Sequence, residues 1–91
     1  MGNKKTFLGI YLDILDAIHT SKSNNAYCTK IYSMVGTTIS YGSERLSELE
    51  EMGLINRIPH ERDTRKIKLT LTSKGKKVLG YVWEIKKCLI E

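Results

Sequence analysis

Residues 39–55 read ISYGSERLSELEEMGLI, and the fold turns on how this stretch is parsed. Ser40 carries a hydroxyl that can accept from an orphan backbone amide, so a helix N-cap is expected there. Leu46, Leu49 and Met52 follow at intervals of three and make one apolar stripe. Gly53 comes next, where a left-handed residue would stop the helix. Leu54 and Ile55 then lead into something extended. The side away from the stripe carries Tyr41, Ser43, Glu44 and Arg45 at the front of the helix. Gly42 is out of place by propensity, since glycine costs about 1 kcal/mol in a helix interior relative to alanine. Either a close crossing with the preceding helix or a loose first turn accounts for it, and its position on the inner side argues for the crossing.

Upstream, Gly36, Thr37 and Thr38 form a turn, and before it Thr29 is placed to cap a short helix, Lys30 to Val35, with Ile31, Met34 and Val35 inward. Helix, three-residue turn, helix is the helix-turn-helix unit. A second helix with small polar groups at its front and an apolar stripe behind suits a DNA major groove. Further upstream, Ala26, Tyr27 and Cys28 allow a very short strand, and Thr20 to Asn25 is a polar loop. Thr6 opens a first helix on which Phe7, Tyr11, Ile14 and Ile18 share a stripe widened by Leu8, Leu12 and Leu15. That arc is broader than a small core needs, so a second copy is the simplest cover for the excess.

Downstream, Arg57-Ile58-Pro59 is a short extended run, and proline confines it to an edge or an end. Ile67, Leu69 and Leu71 alternate with Lys66, Lys68 and Thr70, the period of a half-buried strand. His60 to Arg65, HERDTR, is the charged tip of the hairpin they define. Thr72 or Ser73 caps a last helix with Val78, Val82, Ile85 and Leu89 in one stripe, broadened by Leu79, Trp83 and Ile90. Here too the apolar surface exceeds what one small core can use.

A chain of 91 residues favours one domain, with a thin core that gains from a partner subunit. Its 41% hydrophobic and 27% charged residues argue against disorder. The net charge of +5 permits a polyanionic partner. Its placement says more: Arg57, Arg62, Arg65, Lys66, Lys68, Lys74, Lys76 and Lys77 gather between positions 56 and 77 against Glu61 and Asp63 alone. Two cysteines, Cys28 and Cys88, are too few and too far apart for a zinc site or a disulfide framework. No leader precedes the first helix and no apolar run nears the roughly 20 residues a membrane span requires. A cytoplasmic protein is expected, without metal or cofactor. No phosphate-cradling glycine loop or nucleophile setting suggests an enzyme.

Three pieces of the sequence carry a resemblance. RLSELEEMGLI resembles the LxxLexxGLI end of a recognition helix, RIPHERDTRKIKLTL is similar to a MarR-type wing, and LTSKGKKVL resembles the LTxxGxxxL opening of the helix that follows. In this order they resemble winged helix-turn-helix regulators of the MarR, PadR and ArsR types, and the small single-domain winged-helix proteins of archaea and their viruses. The resemblance implies an α+β, mainly α fold. It would be a winged helix-turn-helix with a two-stranded wing hairpin and a C-terminal helix, one DNA-binding domain over residues 1–91. It also implies sequence-specific binding of double-stranded DNA by a homodimer that regulates transcription, in host cytoplasm if viral. An architectural protein that coats DNA with little sequence preference, or a protein-interaction module, are the alternatives. Carried over by position, Ser40, Tyr41, Ser43, Glu44 and Arg45 would face the major groove. His60, Arg62, Thr64, Arg65 and Lys66 in the wing would reach backbone or minor groove, and Thr29 and Lys30 would meet phosphates. No small-molecule effector is expected, because the longer flanking helices that frame a ligand cleft in full MarR proteins have no counterpart.

Several of these residues have a second reading. Arg62 and Arg65 could pair with Glu61 and Asp63, and Tyr41 could pack instead of reading a groove. Glu44 could accept from a cytosine amino group or repel phosphate. The first and last helices would form the dimer seam through Phe7, Tyr11, Val82, Trp83 and Leu89. Cys88, near the end of the last helix, could then bridge to its twin as an intersubunit disulfide, which a reducing compartment disfavours.

Overall fold

A computed structural model describes residues 7–21, 26–59, 62 and 66–90, with the side chains of Phe7, Leu8 and Ile90 outside that set. The order is α1 (Phe7–Ser21), α2 (Cys28–Val35), α3 (Ile39–Glu51), β1 (Ile55–Pro59), β2 (Ile67–Leu71) and α4 (Ser73–Ile90). The architecture is the expected one: four helices and an antiparallel hairpin.

α1 is the spine of the core. Ile10, Ile14, Leu15, Ala17 and Ile18 are all buried, at the spacing that puts them on one side of a helix. Against them pack Ile31 and Tyr32 of α2, Leu46 and Leu49 of α3, Ile55 and Leu69 of the hairpin, and Leu79 of α4. Met34 departs from expectation. It is 45% exposed, and its sulfur accepts a 3.1 Å hydrogen bond from Ser21 Oγ at the end of α1.

Two caps also differ from expectation. α3 begins at Ile39, and its N-cap is Thr38, whose Oγ1 accepts from Tyr41 N at 3.2 Å; Ser40 lies inside the first turn. α2 begins at Cys28, with Tyr27 as N-cap and no side-chain cap bond, so Thr29 is a helical residue and not a cap. The short strand reduces to one antiparallel bridge, Tyr27 to Lys68, beside a 2.7 Å bond from Leu69 N to Ala26 O. Thr6 lies outside the described residues.

The turn between α2 and α3 opens with Gly36 at φ 79°, and α3 ends on Gly53 at φ 77°. At the latter, Leu54 N donates to Leu49 O and Gly53 N to Glu50 O, both at 3.0 Å. This is the paired bonding of a Schellman ending, with Leu54 and Leu49 buried as its apolar contact. Gly42 is explained by close packing. A Cβ there would lie 2.5 Å from Tyr32 Cδ1 and 2.6 Å from Cε1, so the absence of a side chain lets α3 cross α2 against the tyrosine ring.

The hairpin pairs Ile55 with Leu71, Arg57 with Leu69 and Pro59 with Ile67. Its base is fastened to the start of α4. Thr72 N donates to Leu54 O at 3.0 Å, Thr72 Oγ1 donates to Gly53 O at 2.6 Å, and Lys74 Nζ reaches Met52 O at 2.9 Å. Thr72 Oγ1 also accepts from Gly75 N at 3.0 Å, which makes Thr72 the cap of α4.

Candidate nucleic-acid interface

The front of α3 is open to solvent on one side. Ile39 is 68% exposed, Ser40 and Glu44 are exposed, and Tyr41 and Ser43 are half-buried. Ser40, Glu44, Ser47 and Glu51 follow one another at helical spacing, so the outer face of α3 offers small hydroxyls and carboxylates.

Arg45 is placed differently from expectation. Its side chain turns inward to 5% exposure and meets a carboxylate fork: Nε to Glu48 Oε1 at 2.7 Å and a terminal nitrogen to Glu48 Oε2 at 2.8 Å. Its guanidinium carbon stands 4.7 Å over the Tyr41 ring, and Glu44 approaches at 3.4 Å. From α1, Tyr11 OH donates to the same Glu48 Oε1 at 2.5 Å. Burying a cation this far requires such pairing, and a bidentate fork plus an aromatic face supply it. The bond from Tyr11, then the fork from Arg45, hold the Glu48 carboxyl below its ordinary range. The same bond raises the Tyr11 phenol, and Glu48 is the main reason Arg45 is held firmly protonated. The Tyr11–Glu48 bond thus fastens α3 to α1, with Arg45 held inward along α3 by the same carboxylate rather than extending outward, and Tyr11 spends its hydroxyl within its own chain.

Under α3, burial pushes the Tyr32 phenol up to about 12, with Cys28 adding to the shift and a hydrogen bond to Ser43 opposing it. Burial likewise raises the Cys28 thiol. Thr29 and Lys30 are exposed in the first turn of α2.

In the wing, Arg62 and Lys66 are exposed, and the Lys66 ammonium lies 5.9 Å from the centre of the Tyr27 ring. His60, Thr64 and Arg65 lie outside the described residues. Arg57 points back to α3, with Nε and a terminal nitrogen at 3.0 and 2.8 Å from Glu50 Oε1. The hairpin and the last turn of α3 are therefore joined by an ion pair as well as by the chain.

On α4, Val82 is half-buried while Trp83, Ile85 and Leu89 are 39%, 58% and 80% exposed. Trp83 meets His19 of α1 edge-on at 4.8 Å. Cys88 is exposed and Cys28 half-buried, neither in a disulfide. Among the described residues no trio of His, Cys, Asp or Glu could hold a metal, and no helix is long and apolar enough to cross a membrane.

Ile39, exposed at the head of α3, lay outside the residues expected there. The signal was the Thr37–Thr38 pair, which offers a cap two residues before Ser40 and so brings Ile39 into the helix.

A helix-turn-helix followed by a hairpin and a closing helix defines a winged-helix protein. The chain belongs to the HxlR-like helix-turn-helix family, whose model matches residues 23–90. No curated protein matches. Among solved structures, the chain is similar to the S. aureus MepR–DNA complex, with a TM-score of 0.79 and 22% identity over 90% of this chain and 66% of that one. BldR from Sulfolobus solfataricus gives 0.72 and 25% over 88% and 57%. A MarR mutant from E. coli gives 0.69 and 18% over 78% and 51%. The chain spans less than two thirds of each of these proteins. The expected kinship thus resolves into an HxlR-like family with the fold of the MarR regulators.

Proposed function

We propose that this protein is a homodimeric regulator of transcription that binds double-stranded DNA with sequence preference, and that it is not an enzyme. The observation that carries the reading is the front of α3: solvent-open, lined with groups that hydrogen-bond base edges, and held in place by the Tyr11–Glu48–Arg45 cluster behind it. Its winged-helix fold is shared with MepR, which was solved bound to DNA.

Ser40, Tyr41, Ser43 and Glu44 then set the sequence, Glu44 as an acceptor for a cytosine amino group. Arg45 acts as a positioning residue. His60, Arg62, Thr64, Arg65 and Lys66 of the wing, with Thr29 and Lys30, supply phosphate contacts and most of the affinity. Two copies join through α1 and α4, where Val82, Trp83 and Leu89 bury surface that one chain leaves open and Phe7 joins the seam from α1. No small-molecule effector is required. The protein works where the DNA is, in the cytoplasm, and it regulates by occupying a near-palindromic site whose half-sites lie about one helical turn apart.

The test is fluorescence anisotropy on duplex DNA across a salt series, for the wild type and for Arg62→Ala/Arg65→Ala. The double variant should have a salt slope shallower by about two phosphate contacts. A duplex selected from a random library should then bind at least ~10³-fold more tightly than mixed sequence. A ratio near one would make the protein an architectural DNA-coating protein. No binding at low salt would remove DNA as the partner.

A further inference from the structure

Ile39 is the first residue of α3, and at 68% exposure it is the most exposed large apolar side chain in the helix-turn-helix. Nothing local calls for isoleucine there. It is absent from the buried core and from the half-buried residues packed on it, and β-branched residues are mediocre helix formers. It also leads the side of α3 that continues, one turn on, through Ser43. That places a branched hydrocarbon at the tip of the helix, among Ser40, Ser43 and Glu44, while Arg45, the only cation of α3, is turned inward. A helix that enters a major groove with its N-terminal residues foremost brings this tip against base edges. One base-pair feature there is apolar, the 5-methyl group of thymine.

We propose that Ile39 is a specificity-determining residue that selects thymine at one position of each half-site by packing on its 5-methyl group. This rests on the DNA-binding reading above. It assigns recognition by α3 to a methyl contact beside hydroxyl and carboxylate acceptors, without the groove contact expected of Arg45. The preferred half-site therefore carries a fixed thymine rather than a guanine opposite the helix tip.

The experiment starts from the duplex that the wild type selects from a random library. Each thymine is replaced in turn by deoxyuridine, which keeps every hydrogen-bonding group and removes only the methyl. Wild type should lose roughly fourfold in affinity at one thymine per half-site, the worth of one buried methyl, and about the square of that when both half-sites are changed. Ile39→Ala should bind thymine and deoxyuridine duplexes equally at that position, with an unchanged salt slope. Because the side chain is exposed and Thr38 still caps the helix, its melting temperature should match wild type. Salt-dependent binding with no deoxyuridine effect at any position would overturn the proposal while leaving DNA as the partner. So would a deoxyuridine effect that survives in Ile39→Ala. Absence of duplex binding altogether would overturn the DNA reading itself, and this inference with it.

Discussion

Replacing Gly42 with alanine sets two well-measured effects against each other in the helix-turn-helix. Removing a glycine from a helix interior is worth about 1 kcal/mol in favour of the folded state. Against this, the new Cβ would sit 2.5 and 2.6 Å from two ring carbons of Tyr32 and 3.0 Å from Thr37 Cγ2. Carbon contacts are comfortable at roughly 3.5–4.0 Å, so the ring must retreat by about 1 Å. Tyr32 is 8% exposed and packed in the core, with nowhere to go without moving α2. Overpacking of this kind costs about 1–3 kcal/mol, and the lack of room puts Gly42 in the upper half of that range. The net effect is a destabilisation of about 1–2 kcal/mol, or a melting temperature lower by roughly 5–15 °C for a domain of this size. Two other glycines calibrate the reasoning. At Gly80 an added Cβ meets nothing within 4 Å, so Gly80→Ala should stabilise by about 0.5–1 kcal/mol. At Gly75 the Cβ would fall on the Leu54 carbonyl oxygen, which Thr72 N–H already holds at 3.0 Å, so Gly75→Ala should be the worst of the three, beyond about 3 kcal/mol. Urea and thermal unfolding at one fixed protein concentration would rank them. A Gly42→Ala protein more stable than wild type would refute the claim that the close crossing of α2 and α3 requires glycine.

Other perturbations test separate parts of the structure. Thr38→Ala should cost about 1 kcal/mol in unfolding free energy by removing the cap of α3, whereas Ser40→Ala should stay within about 0.5 kcal/mol, and the reverse ranking would restore the helix start to Ser40. Glu48 has a carboxyl held below its ordinary range, so its contribution is complete above the unfolded-state value near 4.5 and is lost as pH falls through the folded-state value. Glu48→Gln should therefore flatten the acid limb of stability against pH, and an unaltered limb would count against the cluster. Ile85→Asp and Leu89→Asp place charges at sites 58% and 80% exposed in one chain, so each should fold normally. In sedimentation analysis each should raise the dimer dissociation constant ~30-fold or more, the ~2 kcal/mol of a lost interface anchor, and an unshifted dimer would move the seam off α4.

Much of the fold could be read along the chain because its signals are local. The alternation of Ile67, Leu69 and Leu71 defines one strand, Gly53 marks the end of α3, and LTSKGKKVL marks the last helix with Thr72 or Ser73 as its cap, of which the structure uses Thr72. Even the misfit of Gly42 pointed at the α2 crossing. What could not be read depends on partners distant in the chain. Arginine on a helix front reads as a solvent group. Its burial here depends on Glu48 one turn away and on Tyr11, a hydroxyl 37 positions from Glu48. The start of α3 slipped by two residues because three closely spaced candidates, Thr37, Thr38 and Ser40, can all cap. Met34 looked inward by spacing, but Tyr32 and Val35 fill the inner side of that turn, and Met34 is left half-open beside Ser21 at the end of α1.

The bond from Thr72 N to Leu54 O closes the chain on itself at the foot of the hairpin. The two strands are tied into the core through Ile55 and Leu69 and to Ala26 and Glu50, so what lies between Pro59 and Lys66 is a loop with both ends fixed. Such a loop behaves as a cassette. Its tip can lengthen, shorten or change charge while the foot of the hairpin keeps α3 and α4 in register, because a longer closed loop adds little entropic cost once its base is fixed. Contacts made by the wing tip and contacts made by α3 are thereby free to drift independently under selection, and a tip transplanted between relatives at residues 59 and 66 should carry its phosphate contacts with it.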